Sequence, residues 1–305
     1  MTQRNEKGTI LIALENDFIR VEVAPEIGGK ITSIFNKTLG YEFLWSNPGI
    51  GLEKKPPGTD YDENFWGGID ELLPNDIPES IDGISYPDHG ELWTTALNYQ
   101  TSKDEILMSG LLPLSSLYYQ KNVRMHESRP EIELSYRIKN NSDQTRHFLW
   151  KLHAALNIRE GDQLKSDAKI ARIVSPDSSR FAREAPFQWP TIEGNDASMV
   201  PSKDGTMDFF YLYDINQGYM AMISEAAQRL FAYHYDPSVF PYQWYFASYG
   251  KFFNHYTSIL EPATAMPVSV NEAAQLGQCS VLKPGEEIAT RVTIYAGTAS
   301  EKQPN

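Results

Sequence analysis

Arg146-His-Phe-Leu-Trp-Lys-Leu-His-Ala-Ala-Leu-Asn-Ile158 is the stretch whose reading decides the fold. Its even positions from Phe148 to Ile158 are Phe, Trp, Leu, Ala, Leu and Ile, and its odd positions from His147 to Asn157 are His, Leu, Lys, His, Ala and Asn. Successive side chains of a strand point to opposite faces, so one face here is wholly apolar and the other mixed and polar. A sheet that packs on a core and lines a cleft needs this pattern. His153 falls mid-strand on the polar face, a firmer position for a site residue than a loop.

The same alternation recurs along the chain. Candidate strands are 10–14, 18–23, 31–35, 41–45, 106–111, 116–125, 131–138, 170–174, 209–213, 219–223, 229–235, 243–247, 255–260, 278–282 and 289–295. Pro130, Asn140-Asn141, Pro237 and Pro284-Gly285 punctuate them. No amphipathic helix longer than three turns and no solenoid repeat is visible. The expected fold is all-β, a large antiparallel β-sandwich forming a single domain over 1–305, with loose ends at 1–8 and 298–305. Residues 48–88 read as one long irregular region rich in Gly, Pro and Asp. A loop of that length in a compact domain is usually functional or disordered, and its aromatic content argues against disorder.

Composition narrows the partners. With 27 basic and 40 acidic residues the net charge is −13, a field that repels nucleic acid and anionic lipid. Cys279 is the sole cysteine, which excludes an intrachain disulfide and fits a reducing, cytoplasmic setting. Neither a signal peptide nor a membrane-spanning run is read from the sequence. There is no phosphate loop, serine elbow or dinucleotide fingerprint. His89-x-Glu91 with His153 is a poorly spaced metal set, and the acidic stretch 60–76 lacks calcium-loop spacing.

Four further segments carry candidate chemistry: Phe65-Trp-Gly-Gly-Ile-Asp-Glu-Leu-Leu-Pro74, Tyr86-Pro-Asp-His-Gly-Glu-Leu-Trp93, Phe240-Pro-Tyr-Gln-Trp-Tyr-Phe246 and Thr257-Ser-Ile-Leu-Glu-Pro-Ala-Thr264. Their order and content resemble the aldose 1-epimerase (galactose mutarotase-like) superfamily. The opening strands of 16–45, Trp66-Gly-Gly-Ile, His89-Gly90, the strand–turn–strand from Asn140 to Asn157, Leu260-Glu261-Pro262 and Leu282-Lys-Pro-Gly-Glu286 each match an element of that family in turn. The likeness runs from about residue 16 to 297.

The resemblance implies a cofactor-independent isomerase, with no metal, that interconverts the α and β anomers of a free aldose. A base removes the C1 hydroxyl proton while an acid protonates the ring oxygen, and the opened sugar recloses as either anomer. It makes Glu261 the base and His153 the acid, with His89 as a sugar ligand. Familiar mutarotases carry an arginine ahead of the His-Gly element; here the comparable segment offers Asp70 and Glu71, which favours a neutral sugar over a sugar phosphate. Gln243 and Trp244 are expected to supply a hydroxyl partner and a stacking face. The expected partner is a small sugar, and the protein is expected to be a monomer or homodimer. The alternative is a carbohydrate-binding or sugar-sensing protein without catalysis on the same scaffold.

Overall fold

A computed structural model of the chain describes residues 1–6 and 8–299. Apart from a short 3-10 turn, Leu92–Thr94, and one helix, Val270–Gln275, its regular elements are strands. Among the described residues no helix is long and apolar enough to cross a membrane. Two antiparallel sheets, of twelve and eight strands, face each other. The core lies between them. Leu152, Leu156, Phe210 and Leu260 come from the large sheet, and Met108, Val123, Leu134, Tyr233 and Ile294 from the small one.

The decisive stretch behaves as its alternation requires. Phe148, Trp150, Leu152, Ala154, Leu156 and Ile158 all enter this core. The stretch is nonetheless two strands, Arg146–Phe148 and Lys151–Leu156, in different sheets. At the break the backbone bonds leave the ladder: Leu149 N–H donates to the Pro74 carbonyl at 2.7 Å and Trp150 N–H to Thr264 Oγ1 at 2.9 Å.

Two expectations need correction. The first residues pair as a strand, Thr2–Glu6 against Thr9–Glu15, instead of trailing loose. Most of the expected loose tail, 300–305, lies outside the described residues; before it, Thr298 still belongs to the strand Glu287–Thr298. More important, the segment read as an acidic loop contains a central strand, Ile69–Leu72, wedged between Lys30–Asn36 and Lys151–Leu156. Its four residues are all buried. The sequence Ile-Asp-Glu-Leu hides this, because each carboxylate is matched by a lysine from another strand. Asp70 meets Lys30 on one face at 2.6 Å, and Glu71 meets Lys121 of the opposite sheet at 2.7 Å on the other.

The Glu71–Lys121 pair sits inside the sandwich with both side chains at 0% exposure. Lys121 Nζ also donates to the Gly29 carbonyl at 3.0 Å, and the Tyr136 hydroxyl donates to Glu71 at 2.6 Å. Burial raises the Glu71 pKa, and Lys121 opposes that shift. Such a pair adds little net stability, but breaking it leaves a lone charge in a dry interior. Lys121→Met is therefore expected to cost about 3–5 kcal/mol. Adding Glu71→Gln to it should recover part of the loss, read as the two shifts in urea midpoint.

Candidate active site

One row of side chains crosses the outer face of the large sheet. In the ladder register Asp70 pairs with His153, Glu261 with Trp244, and Trp244 with Tyr211. Lys151↔Ala263 and Ala154↔Leu260 flank the remaining step, which sets His153 opposite Glu261 on neighbouring strands. Directly opposed residues have Cβ atoms about 4.5–5.5 Å apart. The imidazole and the carboxylate, 108 positions apart in the chain (261 minus 153), are thus cross-strand neighbours by sheet geometry alone.

Loops close over this row. Tyr61, Asp62 and Phe65 come from the irregular region, while Asp76, Ile77, Asp88 and His89 follow the Ile69–Leu72 strand. With Lys151, His153, Phe209, Phe246, Phe252, Ile259 and Glu261 they line a cavity of about 210 Å³ that opens to solvent. A larger groove elsewhere, beside Asp104, Arg124 and Arg129, has an exposed charged lining and lies away from the row. His89 is held by its backbone. It takes φ +54°, and a Cβ on the next residue, Gly90 (φ +74°), would sit 2.2 Å from the Leu73 carbonyl oxygen. Only glycine tolerates that approach.

The charges interlock. Lys151 Nζ lies 2.6 Å from Asp76 Oδ1 and 2.8 Å from Glu261 Oε2, and 4.3 Å from the centre of the Trp244 ring. The contact with Glu261 is a buried ion pair, and the ammonium favours the charged carboxylate. His89 lies between two carboxylates, Nδ1 at 2.9 Å from Asp88 and Nε2 at 3.5 Å from Asp76, and stacks on Tyr61 at 4.2 Å. The Tyr61 hydroxyl lies 2.8 Å from Asp70 Oδ2 and 3.3 Å from His153 Nδ1.

Burial and neighbouring charge set the proton affinities. Glu261 is 1% exposed; burial pushes its pKa up to about 7, against the pull of Lys151. His153 is pushed the other way, well below the ordinary histidine value, first by burial and then by the Lys151, His89 and Lys30 cations. Burial would also lower His89, but Asp76 and Asp88 outweigh it and the net shift is upward. A neutral His153 is not the readily protonated acid expected from an unperturbed imidazole.

The remaining expected site residues divide by strand face. Asp70 is in the row, but Lys30 and Tyr61 engage it and it does not line the cavity. Trp244 is fully buried beneath Lys151, its indole N–H bonded to the Ala265 carbonyl at 3.0 Å, so it braces the floor and offers no stacking face. Glu71 and Gln243 are each one residue out of phase and point into the sandwich. Gln243 is spent on Ser166 Oγ at 2.5 Å, the Tyr219 carbonyl at 2.8 Å and the Tyr235 hydroxyl at 2.6 Å. Glu91 turns away to accept from the Leu114 and Ser115 amides, which breaks up the His89-x-Glu91 metal set. Among the described residues no group of three or more His, Cys, Asp or Glu is placed to hold a metal ion.

Lys151 and Asp76 were missed as site residues. Lys151 was legible, since it shares the polar face of the decisive strand two positions before His153. Tyr61 and Asp76 arrive on irregular backbone, where no periodicity announces a direction.

A model for a domain of unknown function (DUF5107) matches residues 1–59. Among solved structures, the Slr1438 protein of Synechocystis sp. PCC 6803 superposes with a TM-score of 0.71 at 16% identity, covering 97% of this chain and 96% of that one. A galactose mutarotase-like protein from Clostridium acetobutylicum gives 0.69 at 15% identity, covering 97% and 98%. A galactose mutarotase related enzyme from Lactobacillus acidophilus gives 0.67 at 14%, covering 97% and 100%. Identities this low speak to architecture: the chain has the galactose mutarotase-like fold.

Proposed function

We propose that the chain is an aldose 1-epimerase, accelerating exchange between the α and β anomers of a neutral sugar. The observation that carries this reading is the pairing of His153 and Glu261. They stand side by side, both buried, both lining one cavity, with proton affinities displaced in opposite directions. Ring opening needs one group to take the C1 hydroxyl proton and another to protonate the ring oxygen. Those two oxygens are bonded to the same carbon, so adjacent acid and base side chains suit them.

The lining also suits a neutral sugar. Asp62, Asp76 and Asp88 at the polar end accept hydroxyl protons and, with Glu261, outnumber the Lys151 and His89 cations. Phe209, Phe246 and Phe252 form the opposite wall, with ring centres 5.9 and 5.2 Å apart, and offer contact to the C–H face of a pyranose.

The test is saturation-transfer NMR across a panel of free aldoses, which reads anomer exchange directly. Glu261→Gln and His153→Asn should each lower the enzyme-dependent rate by about 100-fold or more, the usual weight of one positioned acid or base. Sugar binding with no faster exchange in the unmodified protein would overturn the reading in favour of a sugar-binding protein. Phe246→Ala should raise KM roughly 3- to 10-fold with a smaller effect on kcat, as expected for loss of an aromatic contact.

Lys151 gives a pH prediction. Its cation lowers the proton affinity of both Glu261 and His153. In Lys151→Met both groups should hold protons more tightly, so both limbs of the kcat/KM profile should move to higher pH. A profile that stays in place while the rate falls would show that Lys151 does not set these affinities.

A further inference from the structure

We propose that the cavity continues into a second sugar subsite on its rim, so that the site takes the reducing end of a disaccharide or longer saccharide, with the neighbouring pyranose stacked on the ring of Phe253. This rests on the epimerase reading above and names the substrate class of the same site. The cavity itself, at about 210 Å³, is smaller than the roughly 300–1,000 Å³ of most small-molecule pockets, and suits one pyranose. Anything joined to that ring trails out over the rim. Ile77, 37% exposed, and Phe252, half-buried, belong to both lining and rim.

Phe253 stands beside that rim on a turn that fixes it there. The turn joins the strands Tyr242–Tyr249 and Tyr256–Ala263. Ser248, fully buried, holds it from beneath: its Oγ accepts from the Gly250 amide at 3.3 Å and the Phe252 amide at 3.1 Å, and donates to the His255 carbonyl at 2.9 Å. The His255 amide closes the turn on the Phe252 carbonyl at 2.9 Å. Phe253 and Asn254 then take φ +49° and +57°. Asparagine visits this left-handed region readily; phenylalanine does not. The chain thus keeps a bulky aromatic where glycine fits the backbone better, and keeps it 54% exposed. Neither local conformation nor burial accounts for that choice. A backbone outlier at the edge of a cavity points instead to a function for its side chain.

The surrounding rings identify that function. Phe253 lies edge-on to Phe252, with centres 4.7 Å apart, and stacks on His255 at 5.8 Å with the planes 29° apart. The imidazole backs one face and the other is left to solvent. Both supports lead back to the cavity. Phe252 meets Phe246, 5.2 Å away, in the apolar wall. His255 meets Trp45 at 4.8 Å, and Trp45 stacks at 5.7 Å on Phe65, which lines the cavity edge-on to His153. A flat, braced aromatic face suits the C–H face of a pyranose. The platform is one ring wide, whereas a protein interface needs a far larger patch. Its continuity with the cavity makes the occupant the second residue of the same saccharide. Stacking that residue outside also directs the free anomeric carbon of the first one inward, toward His153 and Glu261.

The experiment compares matched pairs by saturation-transfer NMR: glucose with maltose, cellobiose and laminaribiose, mannose with mannobiose, xylose with xylobiose, and galactose with galactobiose. The expected result is at least one disaccharide whose kcat/KM for anomer exchange exceeds that of its own monosaccharide by about 3- to 10-fold, the weight of one aromatic contact. Phe253→Gly suits the left-handed backbone and so keeps the turn while removing the ring. In that variant the advantage should disappear through a higher KM for the disaccharide. Phe253→Tyr, which keeps the ring, should preserve it. A merely structural role for Phe253 would change both members of a pair together and leave their ratio unmoved. If no disaccharide outperforms its monosaccharide, or if the advantage survives Phe253→Gly, the subsite is overturned and the epimerase reading stands. If Phe253→Gly leaves the ratio alone but lowers the sedimentation coefficient, the ring belongs to a contact between copies of this chain, and the subsite is likewise overturned. If no sugar of either size exchanges faster than in buffer, the epimerase reading itself falls, and the subsite with it.

Discussion

A strand shows each side chain to one face only, and this two-residue alternation is the constraint on which the site depends. The Lys151–Leu156 strand spends its even side chains on the sandwich core, while on its other face Lys151 and His153 line the cavity. Because neighbouring strands keep register through core packing, the row Asp70, His153, Glu261 and Trp244 is set by the same contacts that stabilise the fold. The hydrophobic core is therefore what places the imidazole next to the carboxylate. A slip of one residue in any of these strands would bury His153 among aliphatic side chains and turn a core residue to the water.

Lys151 turns this geometry into chemistry. One ammonium placed between Asp76 and Glu261 ties the loop following the central strand to the sheet and lies against the Trp244 ring. It also moderates the site. Without a cation, a carboxyl as buried as Glu261 would hold its proton far above neutral pH; with one, its affinity settles near 7, where proton transfer in both directions is open. Burial lowers the proton affinity of His153, and the same charge lowers it further. The opposed affinities of the two residues thus come from a shared dry environment and a shared neighbour, acting on an acid and a base in opposite senses.

How much of this could be read from the sequence follows from the same physics. Alternation is visible in a sequence, so the all-β class, the core face of 148–158 and the polar position of His153 were legible. Phase between distant strands is not. Glu71 and Gln243 are polar residues in motif-like segments, but each is one position away from the cavity face, and only the ladder register reveals it. The central strand Ile69–Leu72 escaped because its two carboxylates look solvated until their lysines, 40 and 50 positions distant, are seen against them. Tyr61 and Asp76 escaped for a different reason. Loops have no period, so the direction of a loop side chain is decided by tertiary contacts alone.

That central strand joins the two halves of the molecule's electrostatics. Asp70 points outward to Lys30 and, through Tyr61, to His153, while Glu71 points inward to Lys121 and Tyr136. Two adjacent acidic residues would normally forbid a buried strand. Here the alternation separates them onto opposite faces, where each meets its own lysine, so the charge on each face is locally matched. The inward pair ties the large sheet to the small one beneath the site, and the outward pair begins the chain of contacts that reaches the imidazole. A change on either face should therefore be felt in different currencies: loss of the inward lysine in stability, and loss of the outward chain in the protonation of His153. The separation follows from the single peptide step between residues 70 and 71, which is why a segment that looks like an acidic loop can serve as the structural spine of the site.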